Sequence, residues 1–217
     1  ITTIVRLGPK PERVAELPTA TVAFDGTGRR LAWLRYVTTG DPTASEIVVR
    51  DVATGKDAVW LGTGMTKSDM AWSADSQSLV FIGSLPAVAD RSDAYRLREG
   101  QAPEVLTPEP GRKTSLQLDA AGKTLVYRES AAAAPAGAPV GRAGGAGGRA
   151  GGGGGGRGAG APLTYGIVSL ADKSTRKVTG TALALSADGS TIAWLARDGD
   201  ATTLNIAPAA TAQPTMV

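Results

Sequence analysis

One pattern recurs four times in this chain of 217 residues, and it leaves few folds open. AFDGTGRRLAWLRY begins at Ala23, AWSADSQSLVFIG at Ala71, LQLDAAGKTLVYRES at Leu116 and ALSADGSTIAWLARDG at Ala184. Aligned, they put Phe24, Trp72, Leu118 and Leu185 in one apolar column, Leu31, Leu79, Leu125 and Ile192 in a second, and Trp33, Phe81, Tyr127 and Trp194 in a third. The first column recurs after 48, 46 and 67 residues. A glycine-rich insertion of roughly 25 residues accounts for the last spacing, and without it the period is about 42, within the range of propeller blades. A β-sandwich offers no such fixed period.

Each unit reads as a β-hairpin, with an apolar strand, a turn of Asp, Ser, Gly and Ala, and a leaving strand carrying aromatic and aliphatic residues. In the first, the turn runs Asp25-Gly26-Thr27-Gly28-Arg29 and the leaving strand Leu31 to Tyr36. Two further strand signals follow before the next unit, EIVVRDVATGK from Glu46 and DAVWLG from Asp57, with Gly55 supplying the positive φ of the turn between them. Similar pairs lie in AYRLREGQAPEVLTP from Ala94 and GIVSLADKSTRKVTG from Gly166. Four strands per period define a propeller blade. The expected fold is therefore all-β, a partial β-propeller of about four blades spanning residues 1–217. Residues 1–18 supply the last two strands of one blade, residues 181–211 the first three of another, and three full blades lie between. Two arrangements follow: a four-bladed ring in which the N-terminal strands complete the C-terminal blade, or an arc of a larger propeller.

Residues 131–162 differ in kind. They hold fourteen of the 29 glycines, no aromatic residue, and Val140 as the one branched aliphatic. Such a segment buries too little apolar surface to offset chain entropy, and a flexible, disordered insertion is expected. Its Gly-x-Gly-x-x-Gly matches arise from the glycine run itself and neither follow a strand nor open a helix, so they do not mark a dinucleotide site. Its three arginines lack the interleaved aromatics that stack on RNA bases. Closure entropy changes by only about 0.6 kcal/mol per doubling of loop length, so deleting Gly141 to Gly160 should leave the denaturation midpoint almost unchanged. A sharp fall in that midpoint would show that the segment packs.

Charge and composition remove several functions. Lys and Arg number 23 against 20 Asp and Glu, and Arg142, Arg149 and Arg157 of the acid-free insertion account for the whole excess of +3. The rest is neutral by count, unlike a nucleic-acid-binding face. No apolar run approaches the eighteen residues of a membrane-spanning helix. The chain contains no histidine and no cysteine, which removes Ser-His-Asp and Cys-His catalysis, His- or Cys-based metal sites and disulfides. It opens on Ile1, without a signal-peptide pattern, and reads as a fragment or a processed chain.

Several local motifs are absorbed by the repeat. Gly122-Lys123-Thr124 imitates the end of a P-loop, but Gln117 stands where its first glycine belongs, and a hairpin tip is expected. Asp25, Asp75, Asp119 and Asp188 recur once per unit and should cap their own turns rather than bind metal or catalyse. Asp198-Gly199-Asp200 lacks the later ligands of a calcium loop and reads as a turn. Trp33, Trp72 and Trp194 occupy repeat columns and belong to the core, whereas Trp60 lies outside them and its role is open. No catalytic, cofactor-binding or metal-binding residue is assigned.

The motif aromatic-Ser-x-Asp-x-x-x-Leu-apolar-aromatic, as in WSADSQSLVF from Trp72 and LSADGSTIAW from Leu185, resembles the repeat of TolB-like propellers. Family members usually carry proline where Ala74 and Ala187 stand, and the units from Phe24 and Leu118 keep a shifted Asp-x-x-Gly. The repeat is similar to that of the N-terminal propeller of prolyl-oligopeptidase-like serine peptidases, and couplets such as DVATGK resemble those of secreted bacterial members. The resemblance implies a periplasmic or secreted, non-catalytic propeller that restricts access to a separate α/β-hydrolase domain, whose serine, aspartate and histidine lie outside this chain. This chain has no Gly-x-Ser-x-Gly elbow. The alternative is a TolB-like periplasmic scaffold that binds protein or peptide partners. A third reading, a propeller that is itself a lyase or glycosidase, would have to rely on paired carboxylates.

Overall fold

The computed structural model describes residues 2–6, 12–17, 19, 21–88, 90–130, 163–199 and 201–213. The expectation for residues 131–162 lies outside these. The strands are β1 (Thr2–Arg6), β2 (Glu12–Leu17), β3 (Val22–Phe24), β4 (Arg30–Tyr36), β5 (Ser45–Asp51), β6 (Asp57–Leu61), β7 (Thr66–Trp72), β8 (Ser78–Ser84), β9 (Asp93–Arg98), β10 (Glu104–Val105), β11 (Arg112–Leu118), β12 (Thr124–Ser130), β13 (Leu163–Ser169), β14 (Thr175–Gly180), β15 (Ala182–Leu185), β16 (Thr191–Asp198) and β17 (Ala201–Pro208). Helix among the described residues is limited to two 3-10 turns, Pro42–Ala44 and Pro86–Val88.

The strands form antiparallel meanders. β3 to β6, β7 to β10 and β11 to β14 are three complete four-stranded blades, β15 to β17 the first three strands of a fourth, and β1 and β2 a separate pair. The chain is thus a partial β-propeller. β1 and β2 pack on the first complete blade, where Ile4 and Leu17 meet Leu31, Trp33 and Val48. They do not pair with β15 to β17, so the four-bladed closure is not formed.

The repeat columns acquire a physical meaning here. In all four blades the first-column residue lies directly across the hairpin from the second: Phe24 opposite Leu31, Trp72 opposite Leu79, Leu118 opposite Leu125, Leu185 opposite Ile192. Because side chains alternate along a strand, the second- and third-column residues share one face. That face packs on the preceding blade. Leu79 and Phe81 join Ala32, Leu34, Ile47, Val49 and Trp60, Leu125 and Tyr127 join Val80, Ile82 and Ala94, and Ile192 and Trp194 join Val126, Ile167 and Val178. The core is a series of such inter-blade layers.

Phe24 is the exposed member of its column, at 47%. Trp72 is buried between blades, and Leu118 and Leu185 lie against the layers in front of theirs. Among the described residues, only the outer pair β1 and β2 precedes the blade of Phe24, and its cluster with that blade does not reach Phe24.

Candidate functional site

The four hairpin turns share one backbone plan. The residues at 25, 73, 119 and 186 donate their N–H to the carbonyls of 30, 78, 124 and 191, and those at 28, 76, 122 and 189 have positive φ. Two side-chain solutions fill it. Asp25 stands first in its turn and accepts from the N–H groups of Arg29 (2.9 Å) and Arg30 (3.1 Å) and from the Thr27 hydroxyl (2.9 Å). Asp119 accepts from Lys123 N–H at 2.6 Å. In the other two turns serine stands first and aspartate third. Ser73 and Ser186 accept from the N–H five residues on, at 3.0 Å each, and Asp75 and Asp188 accept the hydroxyls of those serines at 2.6 Å.

Each of the four acids accepts a hydrogen bond within its own turn. Burial pushes the Asp25 carboxyl up, but hydrogen bonds from Arg30, Thr27 and Arg29 hold it below its ordinary value, with the Ser76 hydroxyl nearby. Hydrogen bonds from Ser186 and Ser190 lower Asp188 to about 2. Ser76 belongs to the next blade, and the other turns touch in the same sense. A Cβ on Gly189 would fall 1.9 Å from the Asp119 carboxylate, and Ala120 N–H donates to the Ala187 carbonyl at 2.8 Å. Gly122, at φ +66°, marks the hairpin tip expected for Gly122-Lys123-Thr124. Gly199, at φ +58°, occupies the turn between β16 and β17, while Asp200 lies outside the described residues. No three His, Cys, Asp or Glu side chains converge on a metal-sized site among the described residues.

Trp33, Trp72 and Trp194 are buried at 5%, 8% and 6% exposure, in the inter-blade layers. Trp72 donates its indole N–H to the Ala23 carbonyl of the preceding blade at 3.0 Å. Trp60 enters the same layer through a bulge. Val48 faces Val59 and Ile47 faces Leu61, which leaves Trp60 as the extra residue of β6. It meets Trp72 edge-on at 5.3 Å, and the Arg30 guanidinium lies over both rings, 5.4 Å from the Trp72 centroid and 6.0 Å from that of Trp60. This cluster borders a groove of about 640 Å³ between the first two complete blades, with Asp51, Lys56, Asp57, Gln77 and Glu99 around it.

Two buried lysines escaped the sequence reading. Lys67 and Lys113 each stand five positions before the first-column residue, in β7 and β11. Lys67, 4% exposed, donates to the carbonyls of Ser45 (2.6 Å) and Met65 (3.0 Å). Lys113 pairs with Asp93 at 3.3 Å and donates to the carbonyls of Gly111 and Glu109. The available signal was a lysine recurring at one repeat position. Burial pushes the Lys67 ammonium down to about 8, against the opposing pull of Glu46. Between pH 8 and about 10.4 the unfolded chain holds the proton that the folded chain has lost, so stability rises with pH across that window, by at most about 3 kcal/mol. Urea midpoints at several pH values should show this rise, and Lys67→Met should make it shallower, leaving the share of Lys113, whose ammonium burial also pushes down. An identical slope in the variant would contradict the assignment.

No family model and no curated protein matches this sequence. Solved structures do. The chain aligns with TolB from Acinetobacter baumannii at a TM-score of 0.57 and 14% identity, over 92% of this chain and 43% of that one. It aligns with a puromycin-hydrolyzing peptidase of Mycobacterium tuberculosis at 0.58 and 16%, over 94% and 29%. Against an oligogalacturonate lyase of Vibrio parahaemolyticus the values are 0.58 and 10%, over 95% and 56%. The chain therefore spans well under two thirds of each of these proteins. At such identities the likeness is one of fold: a TolB-like propeller, similar also to the propellers of prolyl-oligopeptidase-like peptidases. No helix among the described residues is long and apolar enough to cross a membrane.

Proposed function

We propose that this chain is the non-catalytic propeller section of a prolyl-oligopeptidase-like serine peptidase and restricts substrate access to a hydrolase domain elsewhere in the same polypeptide. The observation that carries the reading is its match to puromycin hydrolase, in which nearly the whole of this chain (95%) corresponds to 30% of that one at a TM-score of 0.59. Most of that hydrolase therefore lies outside the matched section. Without histidine, this chain cannot assemble a Ser-His-Asp triad of its own. A periplasmic or secreted location belongs to the same reading.

The purified chain is then expected to turn over neither peptides nor esters. Turnover abolished by a single Ser or Asp substitution would overturn this. The comparable match to TolB supports a second reading, a periplasmic scaffold whose surface binds protein partners. The two separate on the full-length polypeptide. The peptidase reading requires a Gly-x-Ser-x-Gly elbow followed by an acid and a histidine, and the scaffold reading requires none.

A further inference from the structure

We propose that the groove between the first two complete blades is a binding site for a peptide carboxylate, with Arg30 as its anchor. This rests on the groove alone and holds whether the chain serves a peptidase or a scaffold. Arg35, Arg50, Arg91 and Arg96 each form an ion pair with a carboxylate. Arg30 forms no such close pair among the described residues: its charge favours the ionised Asp51 from beyond ion-pair distance, and its guanidinium lies against the Trp72 and Trp60 rings. Contact with the two rings holds the cation in place without using its N–H fork, whose groups match a carboxylate in number and geometry.

The acids of the groove do not occupy that fork. Asp51 accepts from the Thr54 N–H (2.7 Å) and hydroxyl (2.9 Å), and Asp57 is held by two bonds from Arg50, at 2.7 and 2.9 Å. Lys56 adds a second cation, and Gln77, whose amide nitrogen donates to the Asp75 carbonyl at 3.2 Å, keeps its amide oxygen to accept from a peptide N–H. Glu99, also at the groove, disfavours a multiply charged ligand such as a phosphate, so a single carboxylate fits better.

The repeat supplies an internal comparison. A groove of about 460 Å³ occupies the corresponding place between the last complete blade and the partial one. Thr124 lines it at the repeat position of Arg30, Leu185 holds the repeat position of Trp72, and no aromatic residue lines it beside its cations Lys123 and Arg176. The blade fold therefore does not require the arginine–tryptophan cluster, which this second groove lacks.

The test titrates the full 217-residue chain, following tryptophan fluorescence, with three probes: N-acetyl-Ala-Ala with a free C-terminus, its C-terminal amide, and N-acetyl-Glu-Ala amide. Saturable binding of the first alone identifies a C-terminal carboxylate as the ligand, and binding of the third identifies an acidic side chain; either supports the site. Arg30→Gln should weaken binding at least tenfold, Arg30→Lys should weaken it measurably because the fork is lost, and Arg176→Gln should leave it unchanged. Arg30→Lys keeps the charge over the rings and guards against a folding defect in Arg30→Gln. Binding of no probe, equal binding of the amide control, or full affinity in a folded Arg30→Gln chain would overturn the proposal.

Discussion

Phe81→Ala should lower the unfolding free energy by about 3–5 kcal/mol, while Phe24→Ala, an aromatic truncation in the same repeat unit plan, should cost under about 0.5 kcal/mol. Phe81 is fully buried and stacked on Tyr95, with ring centroids 5.4 Å apart and planes 18° from parallel. It lies in the layer that joins the first complete blade to the second, beside Ala32, Leu34, Ile47 and Val49. Truncation removes the buried ring and leaves a cavity that rigid sheets on both sides cannot close. Phe24 is about half exposed and leaves none. Urea denaturation of the two variants measures the difference. A loss of under about 1 kcal/mol for Phe81→Ala would mean that the two blades do not share a core.

Gly166→Ala should cost about 3 kcal/mol, although it adds one methyl group. Gly166 lies in β13 directly opposite Tyr127 in β12, and the tyrosine ring covers it. A Cβ there would fall 2.1 Å from Cζ and 2.6 Å from Cε1 of that ring. Tyr127 is fully buried, so the ring has nowhere to retreat without disturbing the layer it shares with Val80, Ile82 and Leu125. The same burial raises its phenol to about 12. Replacing the ring should relieve the clash. The double variant Gly166→Ala/Tyr127→Leu is expected to be more stable than the sum of the single effects by about 1 kcal/mol or more. Strict additivity would contradict the contact.

The blade repeat was legible because its signals are local. Seven residues separate each first-column residue from its second-column partner, and that spacing is the hairpin register itself, closed by turn residues that recur in each unit. The strand pairs expected from Glu46, Asp57, Ala94 and Gly166 are present for the same reason. What stayed hidden depends on pairing or on a neighbouring blade. The bulge that delivers Trp60 is visible only as a register shift in the ladder. Asp69 and Ser115 adopt positive φ at bulges in β7 and β11, although neither is a residue that announces such a conformation. Lys67 and Lys113 look like surface residues until the carbonyls and carboxylate that receive them are in place. Arg30 is unremarkable in GRRLAW; its significance comes from Trp72, 42 positions away in the next blade.

The central question is whether this section filters substrates for chemistry performed elsewhere. The direct measurement is turnover of a series of peptides of increasing length, up to a folded protein, by the full-length polypeptide and by the same polypeptide lacking residues 1–217. The account predicts that the intact protein cleaves short peptides and rejects long ones, and that removing the section abolishes this size limit while short-peptide turnover persists. An unchanged size profile after removal, or a full-length polypeptide with no hydrolytic activity, would contradict it.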